Sequence, residues 1–228
     1  DKWKLGEASN VRRYEMVLLS AMHGQTESRL VQELLKLGQM FLAHGYAAEA
    51  LGYFHYASDL LPALGASPEF RALRGAAEAL DGKSADALAD FMYKDLQGND
   101  EIDIWKSFVL AELEDWQQAA RVLPEKYDPI FTYPNIIALR MALLLAEVNL
   151  RAGQVERAEQ LMNYLDKKRL LLNEPKVAAL KYLEGEAARQ REEKDETKRL
   201  WEELTQSTDD LYRTKAGLAL TILMAKDG

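Results

Sequence analysis

Leu34, Leu37, Gly38, Phe41, Gly45, Ala50, Phe54, Ala57 and Pro62 constrain this chain more than any other set of residues in it. Their spacing predicts two helices, one near 26–44 and one near 47–61, joined by a tight turn. Gly45 ends the first helix because a residue without a Cβ takes the left-handed conformation at little cost. Pro62 stops the second, having no N–H to continue the helical bonding. Gly38 and Ala50 are small where the two helices would approach closely, and Phe41 and Phe54 fill the space between them. One such hairpin is too thin to bury its own apolar face, so the rest of the chain is expected to supply stacked neighbours.

The pattern returns with decay. Gly75 and Gly82 repeat the spacing of Gly38 and Gly45, and Ala87 and Phe91 follow as Ala50 and Phe54 did. The segment 114–119 reads as a third turn, with Glu114 in the glycine place and Trp116 as the aromatic. Leu145, Ala146, Gly153, Val155, Ala158 and Met162 mark a fourth hairpin. Leu183, Gly185, Glu192, Thr197 and Trp201 mark a fifth. Turns are therefore expected at 45, 82, 114, 153 and 192, with steps of 37, 32, 39 and 39 residues. The drift implies variable loops between hairpins, longest near Lys167–Lys176. This places repeats at 26–64, 68–101, 102–135, 136–172 and 175–208. Amphipathic helices at Val11–Met22 and Asp210–Lys226 would cap the two ends, within 1–25 and 209–228. Val and Ile are sparse while Ala, Leu and Glu abound, which favours an all-α fold.

The middle is least regular. Pro124, Pro129 and Pro134 crowd a stretch that also holds Tyr127, Phe131 and Tyr133. Leu123–Asn135 is read as a loop because proline disrupts a helix interior. A linker that packs its rings onto the helices is favoured over a protruding aromatic binding loop. Of the four Trp, Trp105, Trp116 and Trp201 are expected in the core, and Trp3 lies in a polar lead-in.

The chain has 228 residues, 48% apolar, enough for a continuous core. It has no Cys, so disulfides and thiolate metal sites are excluded. The longest apolar stretch, Ile136–Val148, is interrupted by Arg140 and is too short to span a bilayer. No secretory leader is read in the sequence, and a cytoplasmic location is expected, with the periplasm as the alternative should a signal lie upstream. The net charge of −8 falls wholly before residue 151, since residues 151–228 hold fifteen basic and fifteen acidic side chains. Asp86, Asp90, Asp95, Asp100, Glu101, Asp103, Glu112, Glu114 and Asp115 concentrate the excess. A field of that sign repels nucleic acid and anionic lipid and would attract a basic partner. The alternative is a solvated rim that keeps the molecule dispersed.

From residue 26 onward the chain resembles the tetratricopeptide-repeat family, whose pattern W-x2-L-G-x2-Y…A-x3-F…P is met with Leu34 for Trp and Phe41 for Tyr. Val31–Leu64 and Leu139–Lys168 carry the resemblance best. It implies a right-handed α-solenoid of about five degenerate hairpins whose first helices line a concave groove, and a role in binding peptides or proteins. By matching position, Gln32, Leu35, Gln39 and Leu42 would line the groove in the first repeat. Arg140, Leu143, Glu147, Leu150 and Arg151 would do so in the fourth, and Ala179, Tyr182, Glu186, Arg189 and Gln190 in the fifth. Some members grip a C-terminal carboxylate with Lys, Arg and Asn. Gln39 here has no Lys beside it, so that mode is not expected. Arg140, Arg151 and Arg189 would either bind an acidic segment or pair with Glu147 and Glu186 in the groove wall.

Nothing in the sequence marks a reaction centre. His23, His44 and His55 form no HxxxH or HExxH pair. There is no GxSxG elbow and no phosphate-cradling loop. Glu192-Glu193 and Glu202-Glu203 lie in the mixed-charge run Arg189–Glu203, which suits a solvent-facing surface. The expectation is a non-enzymatic scaffold without cofactor or metal that binds a peptide or protein segment. Two other readings are a structural spacer that assembles with its own copies and a regulatory domain of a longer protein.

Overall fold

The computed structural model describes residues 13, 15, 16, 20 and 26–227. Among them it is all-helical, with twelve α-helices and no strand. They belong to two compact units, one reaching to Ala138 and the other starting at Leu139. In the first unit, α1 (Glu27–Ala43) packs on α2 (Ala47–Leu60), α3 (Pro68–Leu80) on α4 (Ser84–Phe91), and α5 (Asp100–Glu112) on α6 (Trp116–Val122). A short α7 (Asp128–Thr132) follows. Then come α8 (Asn135–Arg151), α9 (Val155–Lys167), α10 (Glu174–Gln190), α11 (Lys194–Leu204) and α12 (Asp210–Asp227). Within the second unit α10 packs on α9 and α11, and α12 packs on both α10 and α11. Of the expected helix at Val11–Met22, only Arg13, Glu15, Met16 and Ser20 are described, and each is helical. Trp3 and His23 lie outside the described residues.

The five expected turns all occur, and they share one geometry. Gly45, Gly82 and Gly153 have φ of 83°, 80° and 72°, and Glu114 and Glu192 follow at 61° and 63°. In each turn the left-handed residue donates its N–H to the carbonyl three before it, and the next residue reaches the carbonyl five before it. The pairs are Gly45 to Leu42 (3.0 Å) with Tyr46 to Phe41 (2.9 Å), and Glu114 to Ala111 (3.0 Å) with Asp115 to Leu110 (2.9 Å). In the fifth turn they are Glu192 to Arg189 (3.1 Å) and Glu193 to Ala188 (3.0 Å). This Schellman closure satisfies carbonyls that a helix end leaves open. The same residues then start the second helices: the carbonyls of Tyr46, Lys83, Asp115, Gln154 and Glu193 accept from Ala50, Ala87, Ala119, Ala158 and Thr197. Those five acceptors' partners are fully buried, and all are small.

Small residues also recur seven positions before each turn, as Gly38, Gly75, Ser107, Ala146 and Gly185, and large ones nine after it, as Phe54, Phe91, Leu123, Met162 and Trp201. A Cβ built on Gly38 would stand 2.3 Å from the Phe54 ring, and one on Gly185 2.4 Å from the Trp201 indole nitrogen. These glycines let the two helices of a hairpin close on an aromatic ring. The register corrects one expectation. Trp116 opens α6 and is only half-buried, and buried Leu123 stands nine residues after the turn, where the other hairpins carry their large residue. Trp105 and Trp201 are buried as expected.

The stretch Leu123–Asn135 is a linker that contains a helix, α7, because Pro129 sits in the first turn where its missing N–H costs nothing. Tyr127, Ile130 and Tyr133 are buried, and the Tyr133 hydroxyl accepts from Trp105 at 3.0 Å and donates to Glu101 at 2.8 Å. Phe131 stays exposed. Between α3 and α4, buried Asp90 receives Arg74 at 2.6 and 2.7 Å and Arg71 at 3.0 Å. Glu78 lies beside them with one carboxyl oxygen buried and unpartnered, its other oxygen 3.7 Å from Arg74. In α12, Ala216 and Leu220 pack on Trp201 and Leu204, while Leu211, Leu218, Ile222 and Met224 are exposed. No helix among the described residues is long and apolar enough to cross a membrane.

Candidate partner-binding surface

Five of the fourteen expected groove residues come together around one cavity. In the second unit Glu147, Arg151, Tyr182, Glu186 and Arg189 line a cavity of about 820 Å³. Glu147 and Glu186 each stand six residues before a turn, so their helices present them from the same face. Lys215, Leu218 and Ile222 of α12 supply the other wall. The arginines pair within the wall: Arg151 with Glu147 at 2.7 Å and Arg189 with Glu186 at 2.5 Å. Burial pushes the Glu186 carboxyl up, but hydrogen bonds from Arg189 and Gln190 outweigh it and hold the group below its usual range. Gln190 also donates to the Leu150 carbonyl at 2.8 Å. Tyr182 stacks on Trp201 with ring centres 5.9 Å apart. Burial raises its hydroxyl's pKa, so the ring stays neutral. The Lys215 ammonium lies 5.1 Å from the Tyr212 ring centre and 5.8 Å from that of Tyr182, and it forms no ion pair with a described residue. The arrangement offers a flat aromatic, an apolar wall and the Lys215 ammonium, beside the paired Arg151–Glu147 and Arg189–Glu186.

A second cavity, of about 500 Å³, lies in the first unit. It takes Gln39 from α1, Glu69, Ala72, Leu73 and Ala76 from α3, and Glu101, Ile102 and Trp105 from α5. Ala72 and Ala76 leave the hollow that larger side chains would fill. Asp95 and Leu96, on the short helical turn before α5, close one side. The other expected residues are dispersed. Gln32 is exposed, Leu35 is half-buried against Val31 and Leu34, and Leu42 is fully buried in the first hairpin. Arg140 is half-buried and lines neither cavity.

The acid-rich run is divided by its surroundings. Asp90 is neutralised by two arginines, Asp103 pairs with Lys106 at 3.0 Å, and Asp115 caps α6 by accepting from Gln118. Only Asp95 and Glu101 of that run reach the cavity, joined by Glu69 from outside it. Sequence reasoning missed Glu69, Trp105, Lys215, Leu218 and Ile222 as lining residues. A signal existed for the first: Glu69 and Glu101 both stand thirteen residues before a turn. Among the described residues no group of three or more His, Asp or Glu is arranged to hold a metal ion. His44 follows the end of α1 and His55 is exposed on α2. No protein-family model matches the chain, and no curated protein or solved structure matches it.

Proposed function

We propose that this chain is a non-enzymatic scaffold that holds a peptide or protein segment against the first helices of its hairpins. In this reading the hairpins follow one another as a right-handed solenoid of the tetratricopeptide kind, working in the cytoplasm or, alternatively, the periplasm. The observation that carries it is the meeting of Glu147, Arg151, Tyr182, Glu186 and Arg189 around one hollow with an apolar wall. A concave site that combines aromatic and aliphatic side chains with placed charged groups suits side chains of a bound segment. The pairing of Arg151 and Arg189 with neighbouring glutamates turns the reading away from an acidic ligand gripped by free arginines. A displayed library of random peptides, panned on the full chain, tests it. Enriched peptides should lose about tenfold or more in affinity on Tyr182→Ala or Lys215→Ala, as central contacts do, and nothing on Glu156→Ala at an exposed α9 position. No enrichment, or enrichment blind to all three changes, would overturn the proposal.

A specific observation also favours self-assembly. Leu211, Leu218 and Ile222 recur at helical spacing along α12 and are exposed, the last two being those that also line the cavity. Light scattering at rising concentration should then show a dimer that Leu218→Asp with Ile222→Asp abolishes. A monomer throughout would end this second reading.

A further inference from the structure

We propose that the connection between α9 and α10 is a reversible membrane-contact tip, in which Leu170 and Leu171 enter the headgroup region of an anionic bilayer and Lys167, Lys168 and Lys176 meet its charged headgroups. This goes beyond the peptide-holding reading, since none of these residues lines the cavity of the second unit. Leu170 is the most exposed large apolar side chain among the described residues, and Leu171 beside it is more than half exposed. The backbone holds them out in a fixed shape. Leu171 donates to the Lys168 carbonyl at 2.8 Å and Leu172 to that of Arg169 at 3.0 Å, which makes a tight helical turn of Arg169–Leu171. Buried Leu172 and the cap at Asn173, which accepts from the Lys176 N–H at 3.4 Å, pin its far side. Arg169 pins the near side by pairing with Asp166 at 3.0 Å.

The charge around the leucines is net positive. From Asp166 to Lys176 four basic side chains stand against two acidic ones. Asp166 is matched by Arg169, and Glu174 accepts the Thr208 hydroxyl. Lys167, Lys168 and Lys176 form no ion pair with a described residue. The chain's acid excess falls before residue 151, outside this segment. At physiological salt, exposed charges more than about 10 Å apart are largely screened, so the tip's own lysines govern its contacts. Two leucines offer only a fraction of the roughly 800 Å² per partner that a stable protein interface takes. A bilayer surface asks for no matching pocket. Apolar side chains enter it, and lysines lay their hydrocarbon stems alongside while their ammonium groups stay among anionic headgroups. The observations therefore favour lipid over a protein partner at this tip.

Sedimentation of the full chain with vesicles tests this, one set of phosphatidylcholine alone and one of phosphatidylcholine mixed with phosphatidylserine. The mixed vesicles should bind about tenfold or more tightly, and added salt should shrink that difference. Leu170→Asp with Leu171→Asp should weaken binding to them by about tenfold or more, and so should Lys167→Glu with Lys168→Glu. Met92→Asp with Leu113→Asp removes two exposed apolar side chains and adds the same charge as the leucine pair at positions outside the tip, and should alter binding by less than about twofold. No binding to the mixed vesicles, equal binding to both sets, a tip pair without effect, or equal effects of the leucine pair and the control pair would each overturn the inference. If the vesicles are ignored while Leu170→Asp with Leu171→Asp weakens the library peptides, the tip takes polypeptide and this inference fails. Library peptides that still depend on Tyr182 would leave the scaffold reading standing in either case.

Discussion

A methyl group added at Gly38 would meet the Phe54 ring at 2.3 Å, whereas one added at Gly52, on the exposed face of α2, meets nothing within 4 Å. The two glycines therefore answer differently to the same change. Gly38→Ala should cost about 2 kcal/mol, because the ring is fully buried and has no room to retreat. Gly52→Ala should add about 0.5–1 kcal/mol by removing backbone freedom from the unfolded chain. Chemical denaturation of both variants measures the pair, and a shared sign would refute the packing account. Glu78 carries a pH-dependent counterpart. Burial, and after it the nearby Asp90 charge, push its carboxyl up to about 7, against the partial relief of Arg74. The folded state thus holds a proton that the unfolded chain releases at ordinary carboxyl pH. Stability from this group is present at low pH, falls as the unfolded chain ionises, and is fully lost once pH passes 7. Glu78→Gln should leave stability near pH 4 unchanged and raise it by about 2 kcal/mol above pH 7. Thermal melting across that range reads the difference.

The third and fifth turns of this pattern place glutamate where glycine is the rule. Glu114 and Glu192 hold φ of 61° and 63°, with the same closing hydrogen bonds as the glycine turns. A side-chain-bearing residue there costs about 1 kcal/mol relative to glycine. Glu114→Gly and Glu192→Gly should each raise stability by about that amount, with no change in the helix content seen by circular dichroism. A loss of stability would show that the glutamates are held for a contact the turn geometry does not require. These turns explain why so much of the fold was legible. The backbone needs a left-handed residue, a small residue seven before it and a large one nine after it, so the spacing survives even where the glycine does not. Thr26 and His44 flank α1 and Leu61 follows α2, as the periodicity led one to expect. Connections were less legible. The short helical turns at Pro62–Ala66, Lys94–Leu96 and Arg169–Leu171 are too brief to show a period. The cavities were half-legible: register located Tyr182 and Glu186 on one helix face, but no local pattern told that α12 would lay Lys215 and Leu218 across from them.

Within each unit, every strongly packed pair of helices joins elements one or two steps apart in the chain. Each unit therefore rests largely on contacts between helices that are near in sequence. Its sequence-near contacts also favour rapid folding. Stability in such a chain is local, and opening should follow the hairpins. Gly185→Ala provides a clean probe. The added methyl would stand 2.4 Å from the Trp201 indole nitrogen. Trp201 is the hub of a cluster with Ala178, Leu204, Ala216 and Leu220, so the strain enters α10, α11 and α12 together. A strain of about 2 kcal/mol should speed amide exchange in those three helices about thirtyfold. Exchange in α1 to α4 should keep its rate, because those helices belong to the other compact unit. Hydrogen exchange read by mass spectrometry on the full chain separates the two sets. A uniform acceleration from α1 to α12 would mean one cooperative core, and local opening within the second unit would be ruled out.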